Sequence, residues 1–173
     1  MGRPQHPAQC HHERMDTEVM TQKWSRDELE QAHQHYMETA GRCAASGEWR
    51  DWADLFTEDA VYLEHTFGTF RGPDEIYAWI APLMAEWPNR DMNSFPHAWC
   101  VCDEERGWWV CRIENRMKDP GDGSVHQAHN ITVLHYAGDM KFSYEEDAYN
   151  PMNFAPVVSG WLEAYQANGG VPD

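Results

Sequence analysis

The sequence predicts an α+β domain in which a curved antiparallel sheet carries helices over its concave face and so encloses a pocket. Three observations carry this reading. Apolar residues recur at helical spacing in the first half of the chain. From Ser94 to Asp147 they recur at two-residue spacing, cut by strong turn signals into long strands. A final amphipathic stretch then returns to the helical period.

Residues 1–24 hold Pro4, Pro7, Cys10 and scattered charges without periodicity, and read as a flexible N-terminal arm. Cys10-His11-His12-Glu13 has metal-ligand types, but adjacent side chains do not converge on one ion without a fold around them. It is read as chance clustering. The domain spans 25–168, and 169–173 form a tail. Ser25 caps the first helix with Glu28 three residues on, the pattern of a capping box. Leu29, Ala32, Tyr36, Ala40 and Cys43 fall on its apolar face, while His33 and His35 are read as solvated. Gly47 ends it. Trp49, Trp52, Ala53 and Phe56 mark a short second helix.

Ala60 to Thr66 reads as a strand, broken by Arg71-Gly72-Pro73, and Pro73 opens a third helix. That helix buries Ile76, Ile80, Leu83 and Trp87. Ser94–Asp103, Trp108–Lys118, Val125–Tyr136 and Lys141–Asp147 are the later strands. Their turns are Glu104–Gly107, Asp119-Pro-Gly-Asp-Gly123 and Ala137-Gly138-Asp139. Pro151 opens the closing helix, with Phe154, Val158, Trp161 and Tyr165 as its buried stripe.

Composition limits the function. The 173 residues suit one core, and 42% hydrophobic content with nine Trp supports it. A net charge of -16 repels nucleic-acid phosphates and anionic lipid. No apolar run approaches the ~20 residues of a membrane helix. The polar start lacks the apolar centre of a signal peptide, so a cytoplasmic protein is expected. Five cysteines without an export signal read as reduced thiols, and Cys100 and Cys102 as small core residues. No phosphate loop, nucleophile elbow or dinucleotide fingerprint occurs. No cofactor and no metal are expected.

The first helix, the Trp helix, Asp54-Leu-Phe-Thr-Glu-Asp-Ala60, the Gly68…Gly72 turn and the Ile76…Trp79-Ile80 helix resemble the nuclear-transport-factor-2-like superfamily. More narrowly they resemble its SnoaL-like branch, over about residues 25–165. The resemblance implies a cone-shaped sheet and a small-molecule pocket. Its members include isomerases, dehydratases, cyclases, epoxide hydrolases and lyases, but also binding and assembly proteins, so fold alone does not assign an activity.

Counted back from Gly68, the catalytic Asp of the ketosteroid isomerases falls on His65. An extra residue in that strand lets Glu64 compete for the position. The isomerases' oxyanion-hole Tyr falls near Ala40 and their oxyanion-hole Asp near Thr132. Both donors are absent, so steroid isomerisation by the same apparatus is not expected. Register against the family also turns Glu145, Asp147 and Tyr149 inward.

Alternation along Trp108–Lys118 puts Trp109, Cys111, Ile113 and Asn115 on the cavity face. Arg112 and Glu114 then lie on the convex face. His97 and Trp99 share a face, as do Asn130 and Thr132. The expected catalytic residues are His65 as base, with Glu145 or Asp147 to orient it or act as acid. Tyr36, Glu64, Trp79, His97, Trp99, Asn115, Asn130 and Tyr149 are expected to contact substrate. The expected reaction is proton transfer on a hydrophobic, oxygenated organic molecule: isomerisation, dehydration, cyclisation or lyase chemistry. The alternative is a non-catalytic ligand-binding or assembly module, including the small subunit of a ring-hydroxylating oxygenase. A homodimer through the convex face is expected.

Overall fold

The computed structural model describes residues 23–171. Cys10, His11, His12 and Glu13, and nearly all of the expected arm, lie outside the described residues. Trp24, assigned to that arm, instead packs edge-on against Tyr136, with ring centroids 5.3 Å apart.

Helix α1 runs Arg26–Ser46 and α2 Arg50–Ala53. The Glu28 backbone N–H donates to Ser25 Oγ at 3.1 Å, so Ser25 is the cap. The Glu28 carboxylate turns to the sheet, accepting from the Tyr136 hydroxyl at 2.9 Å. Strands β1 (Phe56–Glu64) and β2 (Gly68–Arg71) lead into α3 (Gly72–Ala85). A 3-10 turn at Asn89–Asp91 precedes β3 (Met92–Ser94), β4 (His97–Asp103), β5 (Trp108–Met117), β6 (Gln127–Gly138) and β7 (Lys141–Ala148). A second 3-10 turn, Pro151–Asn153, opens α4 (Phe154–Ala167).

The sheet order is β2-β1-β7-β6-β5-β3, with β4 also pairing β5. All pairs are antiparallel except β1 with β7, which are parallel. The open curved sheet is therefore mixed, where the sequence predicts antiparallel pairing throughout. The β6–β7 turn centres on Asp139 and Met140, both at positive φ, the conformation whose twist suits a two-residue hairpin.

The core lies between the helices and the concave face. Leu29, Ala32, Ile76, Phe56, Leu134 and Phe142 are fully buried in it. A smaller cluster forms where Trp161 of α4 meets Met92 and Met117, with Trp161 Nε1 donating to the Lys118 carbonyl at 2.8 Å. Trp87, expected in the α3 stripe, is exposed, because α3 ends at Ala85. Among the described residues no helix is long and apolar enough to cross a membrane.

Gly72 joins β2 to α3 at φ +65°, and a Cβ there would lie 2.7 Å from the Glu58 carbonyl oxygen. Neither backbone atom can yield. A Gly72→Ala variant is expected to lose at least about 1–3 kcal/mol from the left-handed conformation alone. Urea denaturation checks this.

Candidate active site

A cavity of about 320 Å³ opens between the concave sheet face and α1, α2 and α3, with Phe154 and Val158 of α4 at its rim. That volume is at the small end of the ~300–1,000 Å³ usual for small-molecule sites. Trp49, Trp52, Tyr62, Trp79 and Phe95 make the wall largely aromatic. Trp79 stacks on Phe70 with centroids 4.6 Å apart, which fixes its ring. Its indole N–H is buried without a hydrogen-bond partner among the described residues.

Two carboxyls stand on the inward face of β7. Glu145 is 1% exposed. Its Oε1 accepts from the Tyr36 hydroxyl at 2.8 Å, while its Oε2 is buried with no partner among the described residues. Burial pushes this carboxyl well above the ordinary carboxylate range, and the nearby Asp147 charge pushes it further. Tyr36 and Tyr62 oppose the shift by hydrogen bonding. With Oε1 accepting from Tyr36, the proton belongs on Oε2.

Asp147 sits two residues on and is held differently. Its Oδ2 accepts from the Tyr62 hydroxyl. Its Oδ1 accepts from Asn130 Nδ2 at 2.6 Å and from the Thr132 hydroxyl. Asn115 Nδ2 supports this row, donating to Asn130 Oδ1 at 2.9 Å. Burial raises Asp147 as well, but the three donors counter it. Burial also raises Tyr36 and Tyr62, so both remain neutral donors.

The open choice between Glu64 and His65 has a physical answer. Ala60, Tyr62 and Glu64 alternate inward along β1, and Glu64 pairs with Asp147 in register. Glu64 Oε2 accepts the backbone N–H groups of Thr66 and Phe67, both at 2.6 Å, and so holds the turn that follows. Tyr149 places its hydroxyl on Glu64 as well. His65 lies outside the cavity: it is exposed, and its Nε2 meets Glu146 Oε1 at 2.8 Å on the outer face. That pair pulls Glu146 below the usual carboxylate range. The expected base is therefore not in the pocket.

Trp99 is also outside, 47% exposed. A bulge in β4 sets two residues against one of β5 between His97 and Trp99, so they face opposite sides. His97 keeps the cavity side, and Tyr36, Trp79, Asn115, Asn130 and Tyr149 also line the wall.

Sequence reasoning passed over Tyr62 and Thr132, although Tyr62 lies two residues before Glu64 on the same strand face. It also read His33 as solvated, whereas His33 is 6% exposed. Its place four residues after Leu29 is the signal that it belongs to the apolar stripe. Beside the cavity His33 meets His97, Cys100 and Cys111, the one group of metal-ligand types that converges among the described residues. Burial pushes both histidines down to about 4, so their rings are neutral.

Fold and cavity together define an NTF2-like protein. The chain belongs to the SnoaL-like domain family, which matches residues 34–142. Among solved structures it is similar to a candidate isomerase from Bacillus subtilis, with 14% identity, 78% of this chain and 94% of that chain covered, and a TM-score of 0.59. It is also similar to an LEH-like epoxide hydrolase from M. tuberculosis, with 15% identity, 85% and 96% covered, and a TM-score of 0.56. An NTF2-like protein from Anabaena variabilis matches with 13% identity, 75% and 95% covered, and a TM-score of 0.54. These likenesses show the fold. Comparison with curated protein sequences finds no match.

Because the folded-state value of Glu145 is raised, the folded chain holds a proton that the unfolded chain releases as pH climbs past the ordinary carboxylate range. Stability is therefore lost as pH rises through that window, by up to about 1.4 kcal/mol per pH unit. A Glu145→Gln variant mimics the protonated acid and lacks this loss. Its melting temperature is expected to gain on wild type steadily with pH, as read by thermal denaturation across buffers. His65→Ala, by contrast, removes an exposed pair and should shift stability by less than about 1 kcal/mol.

Proposed function

We propose that this chain is a small-molecule enzyme that works by general acid–base proton transfer inside its aromatic cavity. The observation that carries the reading is Glu145: a fully buried carboxyl whose surroundings favour its protonated form, with one oxygen unpartnered among the described residues. A neutral acid in an aromatic-walled cavity can donate to a substrate oxygen such as a carbonyl, an epoxide or a departing hydroxyl. Asp147 is the readier anion, because three donors stabilise its charge, and it takes a proton from carbon or from water. The two transfers leave Glu145 charged and Asp147 neutral. The Tyr62 hydroxyl bonds Asp147 and lies against Glu145, so it can return the proton between them.

The substrate class follows from the wall. Aromatic rings favour a hydrophobic body, and the Trp79 N–H and Glu145 O–H suit an oxygen on it. Isomerisation, dehydration, cyclisation and epoxide opening all fit this arrangement. One observation favours a second reading, a ligand-binding module without turnover: Asp147 already accepts three hydrogen bonds. The outer face presents Trp99, Val101 and Trp108, and this exposed apolar row supports pairing of two copies there. Four free cysteines in the fold suit a reducing, cytoplasmic setting.

A screen of hydroxylated aromatics, polyketide-like ketones and terpenoid epoxides tests the reading. On any substrate found, Glu145→Gln is expected to lower kcat by about 10²-fold or more with binding retained. Wild-type kcat should fall as pH rises through the raised value of Glu145. Ligands that bind without turnover across the whole screen would favour the module. A Glu145→Gln enzyme with undiminished kcat would remove the acid.

A further inference from the structure

We propose that His33, His97, Cys100 and Cys111 form a closed tetrahedral site for zinc or a similar divalent metal, pinning α1 to the edge of the sheet beside the cavity. The four come from three elements: His33 from α1, His97 and Cys100 from β4, and Cys111 from β5. Their ligand atoms all lie within 4.8 Å of one another. His33 Nε2 is 3.1 Å from His97 Nδ1 and 3.3 Å from Cys111 Sγ. Cys100 Sγ is 3.7 Å from His33 Nε2 and 3.4 Å from His97 Nδ1. Zinc bonds of about 2.0–2.1 Å to nitrogen and 2.3 Å to sulfur, at tetrahedral angles, set N···N near ~3.3 Å and N···S near ~3.6 Å. Four of the six edges of such a tetrahedron are thus already spanned to within a few tenths of an ångström, and the other two are no longer than 4.8 Å.

The backbone departs from regularity to bring this about. His97 and Cys100 are three apart, so a regular strand points them to opposite faces. The bulge between His97 and Trp99 adds one residue to β4 and turns both inward, while Cys100 pairs directly with Cys111 across the strands. The His33 ring stacks on Trp109 at 4.3 Å and 12°, which holds its orientation.

The donor set selects the ion. Two imidazole nitrogens and two sulfurs suit zinc and its neighbours and disfavour magnesium or calcium. Coordination converts two thiols to thiolates and releases two protons, so two negative charges meet a divalent cation and the buried centre is neutral. The imidazoles enter as neutral ligands. With Nδ1 of His97 on the metal, its ring proton is fixed on Nε2, which ties the tautomer of a cavity residue to the metal. Four protein ligands leave no open position, so the metal is structural and takes no step in the proposed proton transfer.

The test uses the untagged full chain, purified from zinc-supplemented cells. Elemental analysis is expected to find one zinc per chain. Cobalt in its place should show tetrahedral d–d bands with thiolate charge transfer. Cys100→Ala and His97→Ala should lose the metal, with circular dichroism reporting whether they fold. Cys43→Ser, Cys102→Ser and a combined Cys10→Ser, His11→Ala, His12→Ala variant should keep it. A readout in the unaltered chain stands beside the variants: Cys100 and Cys111 should resist alkylation until a chelator is added. A chain that takes up no zinc overturns the proposal, whether its thiols are free or joined as a Cys100–Cys111 disulfide. So does metal that leaves only with the Cys10, His11 and His12 substitutions, or octahedral cobalt without thiolate bands.

Discussion

The burial of one carboxyl, Glu145, is the constraint on which the site depends. An ionised carboxylate deep in an apolar wall is costly unless a cation or several donors meet it. Among the described residues no Lys or Arg lines this cavity, and the one histidine that does is held neutral by burial. Tyr36 supplies a single donor to Oε1. Protonation is thereby favoured, and Oε2 is the oxygen left to carry the proton. The surrounding residues follow from this condition: Tyr36 fills the middle of α1 where a core residue would do, and Tyr62 stands between the two carboxyls.

Strand parity made much of this wall legible. Two-residue spacing puts Glu145, Asp147 and Tyr149 on one face of the last strand and Asn130 and Thr132 on one face of its neighbour, and the family resemblance turns the first set inward. The choice between Glu64 and His65 was not legible, because it turns on where β1 ends. The Glu64 carboxylate caps the Thr66 and Phe67 amides of the turn, and that capping ends the inward alternation at residue 64. His65, the first residue beyond the strand, is left to the outer face. A count of residues between a strand and a glycine does not reveal which side chain binds the turn.

The remaining misreadings share a cause. Trp99 and the true company of His97 depend on one extra residue in β4, and a bulge shifts every later side chain to the opposite face. Nothing in the His97-to-Asp103 segment announces it. His33 was hidden differently. It lies on the apolar stripe, but a titratable side chain there reads as solvent-facing until its partners, Cys111 on another strand and Trp109 stacked on the ring, are known. Contacts that join elements far apart in sequence carry no local signature.

The difference between the two carboxyls is what gives the site a direction. Both are raised by burial, yet Glu145 has Tyr36 on Oε1 and shares Tyr62 with its neighbour, whereas Asp147 has three donors over two oxygens. When two acids share a low-dielectric site, the charge settles on the better solvated one, and its presence raises the other further. Asn130 donates to Asp147 and is itself held by Asn115, and this row weights the balance toward charge on Asp147. In the proposed proton transfer, a substrate oxygen entering the cavity would meet Glu145 as acid, with Asp147 as base two residues away. The polarity is built from the donors that α1, β1 and β6 present to two carboxyls of β7 and does not depend on which ring system the aromatic wall accepts.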